Sequence, residues 1–137
     1  MSGTALDSNV LLALWNGEAS AERLAIALDD LQSRGRLVIC GAVYAELLGR
    51  RPDLDTVLPA YGISVDPQML LDTWQRAGEA HAQYAERRRL SGGGLPRRIL
   101  TDMLVGAHAS VSEVALLTLN TDDYGDFPEV PLLTVLV

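Results

Sequence analysis

The sequence predicts an α/β domain built on a largely parallel sheet, and two patterns carry that prediction. Short apolar runs recur along the chain, and longer amphipathic stretches of helical period stand between them. At 137 residues the chain has the length of one domain with a substantial core. No repeat, linker or low-complexity tail divides it, so residues 1–137 read as a single unit.

Thr4-Ala5-Leu6-Asp7 reads as a first short strand. Ser8 stands where a cap would open a helix through Val10 to Trp15, which Asn16-Gly17 ends. A second helix runs from about Ser20 to Arg34, with Leu24, Leu28 and Leu31 on one face and Gly35 as its stop. Leu37 to Cys40 is a buried strand, followed by a helix from Ala42 to Gly49 and a short helix opened by Pro52-Asp53. Ile63 to Val65 is a strand closed by Asp66-Pro67. A long helix spans roughly Gln68 to Leu90, with Leu70, Leu71, Trp74, Ala77, His81 and Ala85 at core-facing spacing. The loop Ser91-Gly92-Gly93-Gly94 precedes a helix from Pro96 to Ser110. Ala115 to Thr118 and Leu132 to Leu136 complete the strands.

All 11 basic residues are Arg, and the chain has no Lys. That excludes the usual phosphate-binding P-loop, which needs a Lys after its glycines, and Schiff-base chemistry, which needs a Lys amine. Phosphate-accepting receiver domains and aspartyl phosphatases normally use a Lys as well. A single cysteine, Cys40, makes no internal disulfide and no zinc cluster, and its apolar neighbours read it as a buried hydrophobe. No apolar run approaches the ~18 residues of a membrane span, and no signal-like segment opens the chain. The expected location is the cytoplasm, with no membrane partner.

The formal net charge is −7, which as a total argues against a nucleic-acid partner, but the basic residues are unevenly distributed. From Arg87 to Arg98 there are five Arg and no acid. Arg87, Arg88, Arg89, Arg97 and Arg98 flank the glycine loop as one basic arm. Arg suits phosphate because its planar fork donates two hydrogen bonds at once. Arg at a helix end also simply favours the dipole.

Four places offer acids. Asp7 closes the first strand at its carboxyl end, where open α/β sheets bind ligands. An Asp there also caps helices, although Ser8 is available for that task. Glu46 is the one ionisable group of an otherwise apolar helix, and carboxylates are rarely buried unless paired or bound to metal. It escapes that requirement if its face of the helix is exposed. Asp102 is the single acid among small and aliphatic residues, with Gly106 and Ala107 pointing to close packing on the sheet. Asn120, Asp122 and Asp123 follow the strand ending in Thr118, and all three are ordinary turn residues too. Brought together, such acids repel one another unless a cation joins them, and oxygen ligands alone suit Mg²⁺ or Mn²⁺. A divalent ion of that kind serves phosphodiester hydrolysis.

These residues resemble a PIN domain, and specifically the VapC toxins of toxin–antitoxin pairs. The markers are Leu6-Asp7-Ser8-Asn9-Val10-Leu11-Leu12, Val43-Tyr44-Ala45-Glu46-Leu47, the run from Asp102 to Ala109, and Leu116-Leu117-Thr118-Leu119-Asn120. Each is weak alone; their order and spacing over the whole chain are specific. The resemblance implies a three-layer α/β/α domain with a mostly parallel sheet of four to five strands. It implies an endoribonuclease whose Asp7, Glu46 and Asp102 form an acidic site for Mg²⁺ (or Mn²⁺). Homodimers and a small VapB-type antitoxin as inhibitor come with it. Many relatives carry Asp where this chain has Asn120, so Asn120 or Asp122 is expected to complete the metal ligands. A nuclease acting on DNA and a non-catalytic binding module remain the competing readings. Leu12, Trp15, Leu47 and Leu48 describe either an antitoxin-docking surface or core. His81 and His108 are read as structural.

Overall fold

The computed structural model describes residues 3–94 and 100–135. The short apolar runs become five strands: β1 (Gly3–Leu6), β2 (Arg36–Cys40), β3 (Ile63–Asp66), β4 (Ala115–Leu117) and β5 (Leu132–Leu133). They form one sheet in the order β3-β2-β1-β4-β5, with every neighbouring pair parallel. Strands covered on both faces need no polar alternation, which is why Leu37, Val38, Ile39 and Cys40 are all buried. Cys40 is a buried free thiol, and its burial pushes the thiol pKa up.

Six helices connect the strands: α1 (Ser8–Trp15), α2 (Ala21–Arg34), α3 (Gly41–Leu48), α4 (Leu54–Ala60), α5 (Leu71–Leu90) and α6 (Thr101–Ser112). Chain order moves outward from β1 to β2 to β3, then crosses back through α5 and α6 to β4 on the far side of β1. Right-handed crossovers therefore put α2 and α4 on one face of the sheet and α5 and α6 on the other. The expected three layers and five strands are present. The direction of winding reverses between β1 and β4, and the carboxyl ends of those two strands form the switch point of the sheet.

Several boundaries differ from the sequence reading. The helix expected to open near Gln68 begins at Leu71. Its buried face is Thr73, Ala77 and Ala80, whereas Leu70, Leu71 and Trp74 are exposed. Small residues win this face because α5 lies closely along α6, itself lined by Gly106, Ala107 and Ala109. The expected start of the last helix at Pro96 lies outside the described residues, and α6 is described from Thr101. Among the described residues, no helix is long and apolar enough to cross a membrane.

Of the two histidines, His108 is buried and places Nε2 2.9 Å from Asp66 Oδ2. His81 is half-buried on α5. Leu47, one of the four residues read as docking surface or core, is fully buried core, while Leu12 and Trp15 are partly buried against it. Arg51 stacks over the Trp15 ring at 4.8 Å, and Leu48 is exposed.

Candidate active site

Asp7 follows the last residue of β1, and its backbone N–H still donates to Leu117 of β4 at 3.0 Å. This extended position makes it the cap of α1: Oδ1 accepts from the Ser8 N–H at 2.8 Å. Asp7 thus performs the capping that the sequence reading left to Ser8. Its other oxygen is held more elaborately. Oδ2 accepts from the Tyr124 hydroxyl at 2.6 Å, from Thr118 Oγ1 at 2.9 Å and, at 3.4 Å, from Asn9 Nδ2. Buried polar groups require partners, and this carboxylate, 4% exposed, has four.

Ser8 and Asn9 come from α1, while Thr118 and Tyr124 come from the strand end and turn that follow the switch point. Thr118 is fully buried just beyond β4, and its hydroxyl also accepts from the Asn120 N–H and from Asn9 Nδ2. Asn9 Oδ1 accepts in turn from the Leu119 N–H at 3.2 Å, tying α1 to the chain beyond β4. Thr121–Tyr124 form a single 3₁₀ turn that carries Tyr124 inward beneath Asp7. Burial, and then the charge of Asp7, push the Tyr124 phenol pKa up, so it acts as a neutral donor. Thr118, Tyr124 and Asn9 were not singled out from the sequence. The signal for Thr118 is a lone hydroxyl at the end of an apolar strand; Tyr124 reads as an ordinary core aromatic.

Asp102 lies in the first turn of α6, where the helix dipole favours negative charge. Its carboxyl is nonetheless pushed up from an ordinary 3.8 to about 6. Burial is the largest cause, followed by the charges of Asp123, Asp7 and Glu46, with the Tyr124 hydroxyl pulling the other way. Four carboxylates from four separate segments therefore share one electrostatic environment at the carboxyl ends of the strands. The fourth is Asp123. Asn120, Asp122 and Asp123 are all exposed, and Asn120 stands at the start of the 3₁₀ turn without a side-chain capping bond. Of the two readings of Glu46, the exposed one holds, because its face of α3 is open to solvent.

The acids meet electrostatically without forming a ready-made coordination shell: among the described residues, no three His, Cys, Asp or Glu side chains gather closely enough to hold an ion. Like charges stay apart until a cation joins them. The donor set still fits a hard divalent ion, since it is all oxygen and its negative charge adds to burial in raising Asp102.

A cavity of 440 Å³ is lined by Asp102, Asp122 and Asp123 together with Tyr84 and Arg87 of α5. Arg87 forms a two-pronged ion pair with Asp126 at 2.5 and 2.8 Å on its wall. Arg88 donates to the Gly94 carbonyl and the Tyr84 hydroxyl, and Arg89 pairs with Glu86. Arg97 and Arg98 lie outside the described residues. The segment that carries Asp123 and Asp126 is clamped by Arg76. That side chain donates to both oxygens of Glu129 and to the Asp126 carbonyl, and stacks over Phe127 at 4.5 Å.

A doubly wound parallel sheet with an acid cluster at its switch point defines the class of protein. The chain belongs to the PIN domain family, whose model matches residues 4–131. No curated protein matches the sequence. Solved structures share the fold at low identity. A chain in the structure of VapBC-1 from nontypeable Haemophilus influenzae superposes with a TM-score of 0.69 at 17% identity, covering 96% of this chain and 97% of that one. VapBC2 from Rickettsia felis, bound to a DNA fragment from its promoter, gives 0.68 at 18%, covering 96% and 98%. FitAcB from Neisseria gonorrhoeae gives 0.59 at 18%, covering 95% and 96%.

Proposed function

We propose that this chain is a metal-dependent endoribonuclease, the toxin of a type II toxin–antitoxin pair, inhibited by a cognate VapB-type antitoxin. The carrying observation is that Asp7, Asp102 and Asp123, from three separate segments of a PIN domain, lie close enough for their charges to add to burial in raising the Asp102 carboxyl. The VapBC complexes among its structural neighbours support the toxin reading.

Asp7, Asp102 and Asp123 would hold a Mg²⁺ or Mn²⁺ ion, with Glu46 reaching it through water; Asn120 and Asp122 are the alternative donors on the turn. The ion supplies an activated water and positive charge at a phosphoryl oxygen. Tyr124, Thr118 and Asn9 fix Asp7 Oδ2, so that its orientation survives the approach of charged substrate. Asp102 is mostly ionised at neutral pH and loses that charge below about 6. Glu46, exposed on α3, orients water from the solvent side. Arg87, Arg88 and Arg89, with Arg97 and Arg98, hold the RNA backbone.

Cleavage of single-stranded RNA with added Mg²⁺ or Mn²⁺ tests this, alongside DNA of the same sequence. Asp7→Asn and Asp102→Asn are expected to lose activity while remaining folded by circular dichroism. A folded Asp7→Asn protein that cuts as fast as wild type defeats the assignment, and preference for DNA changes the substrate. Exposed Leu70, Leu71 and Trp74 support a homodimer, for which light scattering should give twice the 14.8 kDa chain mass. The antitoxin reading is tested by co-purification with the product of an adjacent short reading frame.

A further inference from the structure

We infer that the cavity beside the acid cluster is a nucleotide subsite, with Tyr84 as the platform on which one base of the nucleic acid stacks. This rests on the nuclease reading and specifies how that site takes its substrate. The cavity lining is chemically mixed. It joins Asp102 and Asp123 with Tyr84 and Arg87. Leu100, Met103 and Phe127 supply its apolar part. Its 440 Å³ falls within the range of small-ligand sites, and one nucleotide is of that order.

Two aromatic rings line the cavity, and only one is available. Phe127 is 2% exposed, with the Arg76 guanidinium 4.5 Å from its centroid. Tyr84 is half-buried, and its hydroxyl accepts from Arg88 Nη1 at 3.3 Å while Arg88 Nε is anchored on the Gly94 carbonyl. The ring is thus braced at its tip and flanked by two guanidinium groups, at 5.8 and 5.9 Å. Aromatic rings beside Arg form the recurrent platform for single-stranded nucleic acid: the ring takes the base and the guanidinium takes the phosphate. Arg87 is 56% exposed and its partner Asp126 18%, so a substrate phosphate reaches the guanidinium from solvent in competition with that carboxylate. Asp126 then acts as a counter-charge that keeps Arg87 extended along the cavity until substrate arrives.

The test is fluorescence anisotropy of the full chain, with chelator present to prevent cleavage, against a labelled short single-stranded RNA of mixed sequence. The same backbone without bases and the matching DNA provide the comparison arms. Tyr84→Ala should weaken RNA binding about tenfold or more, the effect of removing one stacked base. Tyr84→Phe should bind like wild type, and the baseless strand should not distinguish Tyr84→Ala from wild type. Unchanged binding by Tyr84→Ala overturns the subsite while leaving RNA cleavage by the acid cluster intact. Equal loss in Tyr84→Phe also overturns it, because the hydroxyl and not the ring would then matter. Binding of DNA but not RNA, with the same Tyr84 dependence, upholds the subsite and defeats the ribonuclease reading. Failure to bind either nucleic acid defeats the subsite, while cleavage with added Mg²⁺ or Mn²⁺ decides the ribonuclease reading separately.

Discussion

Tyr124 donates its hydroxyl proton to Asp7 Oδ2 at 2.6 Å, joining residues 117 positions apart in the sequence. The bond closes the switch point of the sheet, since one partner follows β1 and the other sits on the turn after β4. It is a charge-assisted bond between buried groups, the kind whose loss is felt because the acceptor stays behind. Tyr124→Phe should therefore destabilise the fold by about 1.5–3 kcal/mol in urea unfolding. Thr118→Val should cost about 1–2 kcal/mol by the same logic. In an Asp7→Asn background the Tyr124→Phe cost should shrink, because no charge is left to strand. A double-mutant cycle measures that difference, and full additivity would mean that the pair is not coupled.

The raised Asp102 carboxyl makes a stability prediction whose sign runs opposite to the usual carboxylate. Its pKa is about 6 in the fold against an ordinary 3.8, so the folded chain binds the proton more tightly than the unfolded chain. Stability is unaffected below the lower value, falls as pH rises between the two, and stays reduced above 6. Asp102→Asn should remove that penalty. In chelator at about pH 8 the variant should melt roughly 3–8 °C above wild type, from about 1–2 kcal/mol. The gap should close as the pH is lowered towards 4. Added Mn²⁺ should raise the wild-type melting temperature and move the variant less.

Much of this site is legible in the sequence, for reasons that can be named. Asp7 and Asp102 stand out because each interrupts an apolar segment, and burial is what gives Asp102 its unusual carboxyl. Glu46 stands out on the same ground, yet α3 turns it to solvent, since composition does not say which face of a short helix is open. Choosing among Asn120, Asp122 and Asp123 requires the phase of the 3₁₀ turn, which two adjacent acids do not encode. The buried face of α5 is not legible in the sequence, because large apolar residues outweigh Ala in any helical pattern. Close packing on α6 selected Thr73, Ala77 and Ala80 instead.

Glu129 is held at about 2 by the Arg76 guanidinium first and the Ser110 hydroxyl as well. Here the folded pKa is depressed, so its stabilisation is present above the ordinary value of 4.5 and is lost as pH falls towards 2. With the Glu129 side chain 41% exposed, solvent screening leaves about 1 kcal/mol of the raw shift. Glu129→Gln should cost that much at neutral pH in urea titrations. Between about pH 5 and 3 wild type should lose stability faster than the variant, and parallel curves would show the clamp to be energetically idle.

Gly106 sets how closely the acid-bearing segment approaches α6. A Cβ on that residue would lie 2.5 Å from Cδ2 and Cε2 of Phe127 and 2.9 Å from Cγ. The ring has little room to retreat, being buried with Arg76 stacked at 4.5 Å. Alanine favours a helix over glycine by about 1 kcal/mol, but overpacking a core costs typically 1–3 kcal/mol. Gly106→Ala should therefore be destabilising by about 1–2 kcal/mol net in chemical denaturation. It should also push Phe127 outward, and with it the turn that carries Asp123 and Tyr124. Nucleic-acid cleavage should then fall more than the modest stability loss explains. A Gly106→Ala protein as stable and as active as wild type would show that α6 and Phe127 can separate without disturbing the acids.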